Sequence, residues 1–322
     1  MPSVDILLAT YNGARFLPAQ LASLSRQSHR DWRLIVRDDG SSDGSLDIVR
    51  QWADREQRAL LVVDDGIKGL GPAQSFGRLL DRSDAPYLAF CDQDDVWDEV
   101  KVQRLLAEVL AMEADHGLAL PMLAHSNLAI VDEDLTPTGA NFWEGARIVC
   151  PNIGRSEPDK AGRASLLLQN VVTGCASLGN SSLRQMAGSM PEGVHVHDWW
   201  VALIAAHFGA VRGVPETLVQ YRQHSGNAIG AKSWGAASIG RRFLSAPGEN
   251  IRKAAILLEA LQRQAGSFAD AFGKVLPQDD RETVQELATL RAHSILRRKT
   301  FMSRRGAYPQ SMLRGLALLC VI

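Results

Sequence analysis

Three carboxylates, Asp92, Asp94 and Asp95, follow directly on the apolar run Tyr87 to Cys91, and Val96-Trp97 closes the group. A short apolar run bounded by polar residues reads as a buried strand, so the carboxylates stand at a strand's carboxyl end. Carboxylates clustered there need a cation. A hard divalent ion such as Mg²⁺ or Mn²⁺ takes oxygen ligands and bridges to phosphate, so a strand-end Asp-x-Asp implies an enzyme that holds a nucleotide diphosphate through a metal. The bland alternative is an acidic turn capping the helix that begins near Val100, since Asp is a favoured N-cap.

Two further loops weigh against that alternative. Val4 to Ala9 runs into Thr10-Tyr11-Asn12-Gly13 and an apolar-periodic helix, Phe16 to Gln27. Leu34 to Arg37 runs into Asp38-Asp39-Gly40-Ser41-Ser42-Asp43-Gly44 and a helix from Leu46 to Glu56. Each loop alone is ordinary turn chemistry. Three of them at the carboxyl ends of successive strands are where an open parallel sheet gathers a ligand. Asp39 is then placed to accept from a base N–H while backbone N–H groups at the helix start face phosphate. A strand at Leu60 to Val63 and helices at Gln74 to Leu80 and Val100 to Asp115 continue the alternation of a mostly parallel sheet. The pattern then becomes mixed, with apolar runs at Leu123 to Val131 and Leu166 to Leu178 and a loop or lid expected over Asn141 to Arg163. After Gly226 long helical patterns take over, at Ile251 to Gln264 and Arg281 to Arg298.

In this order, Thr10-Tyr11-Asn12-Gly13, Asp38-Asp39-Gly40-Ser41 and Asp92-Gln93-Asp94-Asp95-Val96-Trp97 resemble the motifs of family 2 glycosyltransferases of the GT-A fold, in particular bacterial rhamnosyltransferase-like enzymes. The match continues through His197-Asp198-Trp199-Trp200 and Tyr221-Arg222-Gln223-His224-Ser225-Gly226-Asn227. One departure stands out: Gln74-Ser75-Phe76 occupies the place where relatives carry Lys-Asn-Phe. The resemblance implies a Rossmann-like GT-A domain, with a mostly parallel central sheet and flanking helices, over residues 1–230, and a helical extension over 231–322. It also implies metal-dependent, inverting transfer of L-rhamnose from dTDP-L-rhamnose, with UDP-sugars as the alternative donors. The acceptor would be a glycan or a polyprenyl-linked glycan in cell-surface polysaccharide synthesis, such as O-antigen. A non-catalytic nucleotide-sugar-binding protein of the same fold is the rival, and intact Asp39, Asp94 and Asp198 argue against it.

The resemblance assigns nucleotide binding to Thr10, Tyr11, Asn12, Asp39, Gly40, Ser41, Asp92 and Gln93. Metal binding falls to Asp94 with Asp92 or Asp95; which of them touches the ion stays open. The resemblance also places the catalytic carboxylate at Asp198, at the mouth of an apolar helix running to Phe208. There Trp199 and Trp200 would desolvate it and raise its pKa towards a general base's range. Arg222 and His224 follow a strand, Thr217 to Tyr221, which the resemblance sets beside the diphosphate. Both would supply positive charge, His224 as a metal contact too, with Trp199 on the same diphosphate and sugar side. His195 and His197 read as structural. Gly174-Cys175 resembles the family's acceptor-side turn, with Cys175 a small buried residue.

With 322 residues, 46% hydrophobic and 22% charged, the chain has the composition of an ordinary globular protein, and a net charge of -1 gives no reason to expect nucleic acid. The four cysteines show no paired metal-ligand spacing, the start lacks a secretory pattern, and a cytoplasmic setting is the expectation. No apolar stretch approaches the ~20 residues that cross a bilayer. Past Glu286 the chain carries Arg291, Arg297, Arg298, Lys299, Arg304, Arg305 and Arg314 with no Asp or Glu, and it ends in Leu316 to Ile322. Basic residues interleaved with apolar ones suit an interfacial helix on anionic lipid, which predicts peripheral contact with the inner membrane. The rival is a tail packed on the GT-A domain, or a homodimer through the C-terminal helices.

Overall fold

Strands apolar on both faces must be covered by helices on both sides, and the first third of the chain builds such a sheet. The computed structural model describes residues 3–146, 148, 152–226, 247–309, 318, 319, 321 and 322. In it β1 (Val4–Thr10), β2 (Trp32–Asp38), β3 (Leu60–Val62) and β4 (Tyr87–Asp92) alternate with α1 (Leu17–Ser25), α2 (Ser45–Glu56) and α3 (Pro72–Arg82). The four strands are parallel in the order β3-β2-β1-β4. Their register sets Thr10 opposite Asp38 and Ala9 opposite Asp92, so the three motif loops leave one edge side by side.

The chain goes on through β5 (Val96–Trp97), α4 (Lys101–His116), β6 (Met122–Val131), β7 (Pro137–Asn141), α5 (Phe142–Ala146) and β8 (Asn152–Gly154). Then come α6 (Lys160–Leu166), β9 (Ser177–Asn180), α7 (Ser181–Ala187), α8 (His197–Phe208) and β10 (Ala210–Arg222). Beyond β4 the pairing is mixed. β9 enters antiparallel between β4 and β6, β10 runs parallel to β6, and β5 lies antiparallel on β10. A parallel strand needs a crossover, whereas β9 arrives from the tight turn Gly174–Ala176 and so can enter in the opposite sense. The stretch Asn141 to Arg163 is not a bare loop. It holds α5, β8 and the start of α6, because Trp143 and Ile153 are buried and β8 hydrogen-bonds to the edge of β10.

Alternate strand positions point to opposite faces. Ile6, Leu8, Leu34, Val36 and Cys91 pack with residues of α1, α2 and α4. Leu7, Ile35, Leu88 and Phe90 pack with residues of α3 and α8. The C-terminal helices are α9 (Pro247–Phe272), α10 (Gln278–Ala288), α11 (Ile295–Lys299) and α12 (Phe301–Arg305). The pattern expected as one helix from Arg281 to Arg298 is thus broken after Ala288. Leu258, Leu261, Ala265 and Phe268 of α9 join the core on the α8 side, with Phe268 edge-on to Trp200 at 5.6 Å between centroids. A buried ion pair, Arg163 Nε to Asp280 Oδ2 at 3.0 Å, ties α6 to α10, and the same guanidinium donates to the carbonyls of Gly154 and Ser156.

Three of the basic residues expected to face lipid pair with one buried carboxylate, while the side chains of Arg297 and Arg304 stay partly exposed. Glu286, 3% exposed, accepts from Arg297 at 2.8 Å, from Arg305 at 2.7 Å and from Arg304. Burial works against ionisation of Glu286, yet the three guanidiniums hold its carboxyl down at about 2. Arg305 also pairs with Glu282, Arg291 pairs with Glu259, and Lys299 donates to the carbonyl of Leu319. A carboxylate upstream of the acid-free stretch is thus matched to cations within it, a pairing that the linear pattern hides. Ile295 and Leu296 are 66% and 75% exposed beside Arg298. Arg314 lies outside the described residues. No helix among the described residues is long and apolar enough to cross a membrane.

Candidate active site

Side chains of the three motif loops first of all hold one another. Thr10 Oγ1 and the Tyr11 N–H both donate to Gln93 Oε1, at 2.7 and 2.9 Å, and Gln93 Nε2 donates back to the Tyr11 carbonyl at 3.1 Å. A Cβ on Gly13 would stand 2.1 Å from Gln93 Oε1, so only glycine lets this stitch form. Asn12, at φ 48°, donates its N–H to Ser41 Oγ at 2.8 Å and accepts from the Ser42 N–H at 2.9 Å. Thr10, Asn12, Ser41 and Gln93 therefore shape the platform, and Tyr11, 57% exposed, presents its ring above it.

Asp39 is more occupied than the sequence implies. Its Oδ1 accepts from Arg37 Nη1 at 2.7 Å and from the Leu70 N–H at 2.9 Å, and Oδ2 accepts from the Gly71 N–H at 2.8 Å. A carboxylate has about four acceptor positions, so Oδ2 keeps one for a base N–H. Arg37, fully buried, also donates to Asp65, to the Ile67 carbonyl at 2.6 Å and to Ser75 Oγ at 3.0 Å. Sequence reading missed Arg37, although a charged residue inside an apolar strand was the available signal. Ser75, at the departure from the family pattern, is one of its partners.

The acidic cluster splits into an outer and an inner part. Asp94 Oδ2 lies 2.8 Å from His224 Nε2, and the imidazole stacks on Phe16 at 4.3 Å. Asp95 is fully buried and turned inward; its Oδ1 accepts from the Arg222 N–H at 3.1 Å, and Cys175 lies close by. Ligand atoms of Asp92, Asp95 and Cys175 come within 4.8 Å of one another. Lys101 is buried nearby, its Nζ 3.0 Å from the centre of the Trp97 ring, and burial pulls it down to about 7. Burial, then the charges of Asp94 and Asp198, push Asp92 up to about 7. Burial and the same kind of crowding by Asp94 and Asp92 raise Asp95 well above the carboxylate range.

Carboxylates that resist ionising together are relieved by a divalent cation. The carboxylate oxygen of Asp94 and the imidazole nitrogen of His224 are ligand types that Mg²⁺ or Mn²⁺ accept, and here they contact each other. Burial, together with Asp95 and Asp92, keeps the Cys175 thiol protonated, so the inner set offers oxygen ligands from Asp92 and Asp95. Asp95 also supports the segment at Arg222 through the Arg222 N–H.

Two other expected contacts change place. Arg222, 5% exposed, donates Nε to the Asp94 carbonyl and Nη1 to the Glu133 carbonyl, both at 2.6 Å, and lies over Phe16. These bonds fasten the acidic loop, where a diphosphate contact was expected. Trp199 is 3% exposed and donates Nε1 to the Leu166 carbonyl at 2.6 Å, so it is a core residue instead of a sugar contact.

Asp198 sits in the first turn of α8. Its Oδ1 accepts from Asn170 Nδ2 at 3.0 Å and its Oδ2 from the Gly174 N–H at 2.9 Å. Burial pushes it up to about 6, against the N–H groups of Gly174 and Trp199 and the amide of Asn170, which favour the charged form. That value suits a base working near neutral pH. His197 stacks on Phe76 at 3.8 Å, and burial drops it to about 3, which leaves a neutral, structural imidazole. The turn at Gly174–Cys175 thus reaches Asp198 through a backbone N–H, a contact that no side-chain motif could reveal.

Residues 5–121 match the family model of glycosyl transferase family 2. Over 236 residues, 73% of this chain and 84% of the other, the sequence is 25% identical to the putative teichuronic acid biosynthesis glycosyltransferase TuaG of Bacillus subtilis (strain 168). The fold superposes on S. aureus TarS 1–349 in complex with UDP-GlcNAc with a TM-score of 0.54 and 15% identity, covering 95% of this chain and 93% of that one. It superposes on the mannosyltransferase PcManGT from Pyrobaculum calidifontis, in complex with GDP-Man and Mn²⁺, with a TM-score of 0.52 and 18% identity, covering 97% and 78%. With its motif loops on one sheet edge and its sequence matched over that same edge, the chain carries a glycosyl transferase family 2 domain over residues 5–121 and is a glycosyltransferase with the GT-A fold.

Proposed function

We propose that the enzyme is a metal-dependent, inverting glycosyltransferase whose base is Asp198 and whose metal pair is Asp94 and His224, with Asp92 between the two. The observation that supports this reading is that the charges of both Asp94 and Asp198 act on Asp92, as expected if the metal ligands and the base serve one site. The platform of Tyr11, Asn12, Gly40 and Ser41 receives the nucleotide, and Asp39 Oδ2 accepts the N–H of a uracil or thymine ring. When bound, a divalent ion would neutralise the diphosphate as its charge grows on departure. Asp198 takes the proton of the acceptor hydroxyl, and a single displacement assisted by one base inverts the anomeric centre.

The motif resemblance supports dTDP-L-rhamnose as donor, with UDP-sugars as the alternative, and the name of the teichuronic acid relative supports a cell-surface polysaccharide or its polyprenyl-linked precursor as acceptor. We place the enzyme in the cytoplasm, touching the inner membrane face through Ile295, Leu296 and Arg298; self-association through the same face is the competing use. Transfer assayed with dTDP-L-rhamnose and UDP-glucose, with and without EDTA, tests the reading. Activity should need added Mg²⁺ or Mn²⁺, and Asp94→Ala should abolish it and weaken dTDP or UDP binding. Full activity of that variant, or of the wild type in EDTA, would remove the metal from the mechanism.

A further inference from the structure

The segment 166–174, between α6 and the turn into β9, buries Leu166, Leu167, Leu168, Val171 and Val172, each at most 4% exposed, and carries the polar residues Gln169, Asn170 and Thr173. Within it Asn170 is a polar interruption whose amide makes two bonds. Its Oδ1 accepts from the Val172 N–H at 3.0 Å, which fixes which end of the amide faces where, and Nδ2 then points at Asp198 Oδ1 at 3.0 Å. The second oxygen of Asp198 is held by the Gly174 N–H, and a Cβ on Gly174 would stand 2.5 Å from His197 Nε2, so the backbone can come this close only at glycine. The two donors lie on one short segment and grip opposite oxygens of one carboxylate.

We propose that Asn170 is a positioning residue for the base: its amide, set by Val172, fixes the rotation of the Asp198 carboxylate so that one lone pair faces the acceptor hydroxyl. This rests on the assignment of Asp198 as the base. A carboxylate held by Gly174 alone can turn about its Cβ–Cγ bond and spends only part of its time aimed at the acceptor. The amide also donates to the charged form, so its loss makes that form harder to keep in a buried site. Among the described residues the Asn170 amide bonds to Asp198 and Val172, so its effect should be confined to the chemical step.

Asn170→Asp is one probe, because its carboxylate, when ionised, can still accept from Val172 while it no longer donates to Asp198. Expected is a fall in kcat on the order of 10- to 100-fold, with donor Kd and melting temperature close to wild type. Asn170→Ser, which keeps a local oxygen for the Val172 N–H but falls short of Asp198, should behave in the same sense and covers the case where the charged variant misfolds. Combined with Asp198→Asn, either variant should add almost nothing, since both act through one carboxylate, whereas a merely structural loss would add. A kcat within twofold of wild type, or a parallel collapse of Kd and melting temperature in both variants, overturns the positioning role. If Asp198→Asn alone is fully active, the base assignment falls first; if it is inactive while Asn170→Asp is fully active, only the role of Asn170 falls.

Discussion

Replacing Glu286 with Gln removes one buried charge while keeping its shape, and it asks what three arginines of the tail are for. In the folded chain this carboxyl sits at about 2, against 4.5 for an ordinary glutamate, because Arg304, Arg297 and Arg305 overcome the opposing effect of burial. A depressed carboxylate stabilises the fold in full above its unfolded value and loses that contribution as the pH falls towards its folded one. The gap, at ~1.36 kcal/mol per pH unit, corresponds to about 3 kcal/mol at pH 7 and about 2 kcal/mol at pH 3.5. Arg297 and Arg304 have side chains 49% and 39% exposed, so screening by water makes these upper figures. Urea unfolding of wild type and Glu286→Gln at the two pH values reads the difference directly. A loss below about 0.5 kcal/mol at pH 7, or a gap that widens on acidification, would refute the idea that this carboxylate organises the tail. The same variant should bind anionic vesicles more tightly than wild type, because three cations lose their internal partner.

Asp198→Asn should leave dTDP and UDP affinity near wild type while transfer drops by about 10² or more; a matching collapse of donor affinity would mark Asp198 as a structural cap. Because burial lifts Asp198 to about 6 and a base must be ionised, wild-type transfer should decline as the pH falls through about 6 under saturating donor and metal, and a flat profile from 7 to 5 would contradict the assignment. Asp39→Ala should weaken dTDP and UDP binding alike and loosen the loop around Leu70 and Gly71; equal binding of CDP and GDP by the wild type would reject the base contact. Sedimentation with anionic vesicles should show binding that weakens with salt and is lost in Ile295→Ser/Leu296→Ser, while indifference to vesicles at low salt would leave that face to packing or dimerisation.

The parallel half of the sheet, the three loops on its edge and the helix behind Asp198 are legible from the chain because each rests on local signals: apolar runs, turn residues, a helical period. What escapes the sequence is the direction in which each polar group spends its bonds. Arg222 reads as a phosphate ligand by type and neighbourhood, yet two of its donors go to carbonyls. Trp199 adjoins the base in sequence and points into the core, since a helix turns successive residues by about 100°. Glu286 stands upstream of the acid-free stretch and neutralises cations many residues later. Asn170 carries no motif, and the resemblance at Gly174 does not reveal that its backbone N–H meets Asp198.

The packing of α9 against α8 bears on how such enzymes diversify. Phe268 rests on Trp200, two residues past Asp198, and Arg163 meets its counter-ion Asp280 from the extension. Exchange of the first 230 residues for those of a relative lacking Trp200 and Arg163 would therefore leave Phe268 without its aromatic partner and the buried carboxylate of Asp280 unmatched. Donor preference can drift by editing loops on the strand edge, but the C-terminal helices have to travel with the α6 and α8 they cover, as one heritable unit.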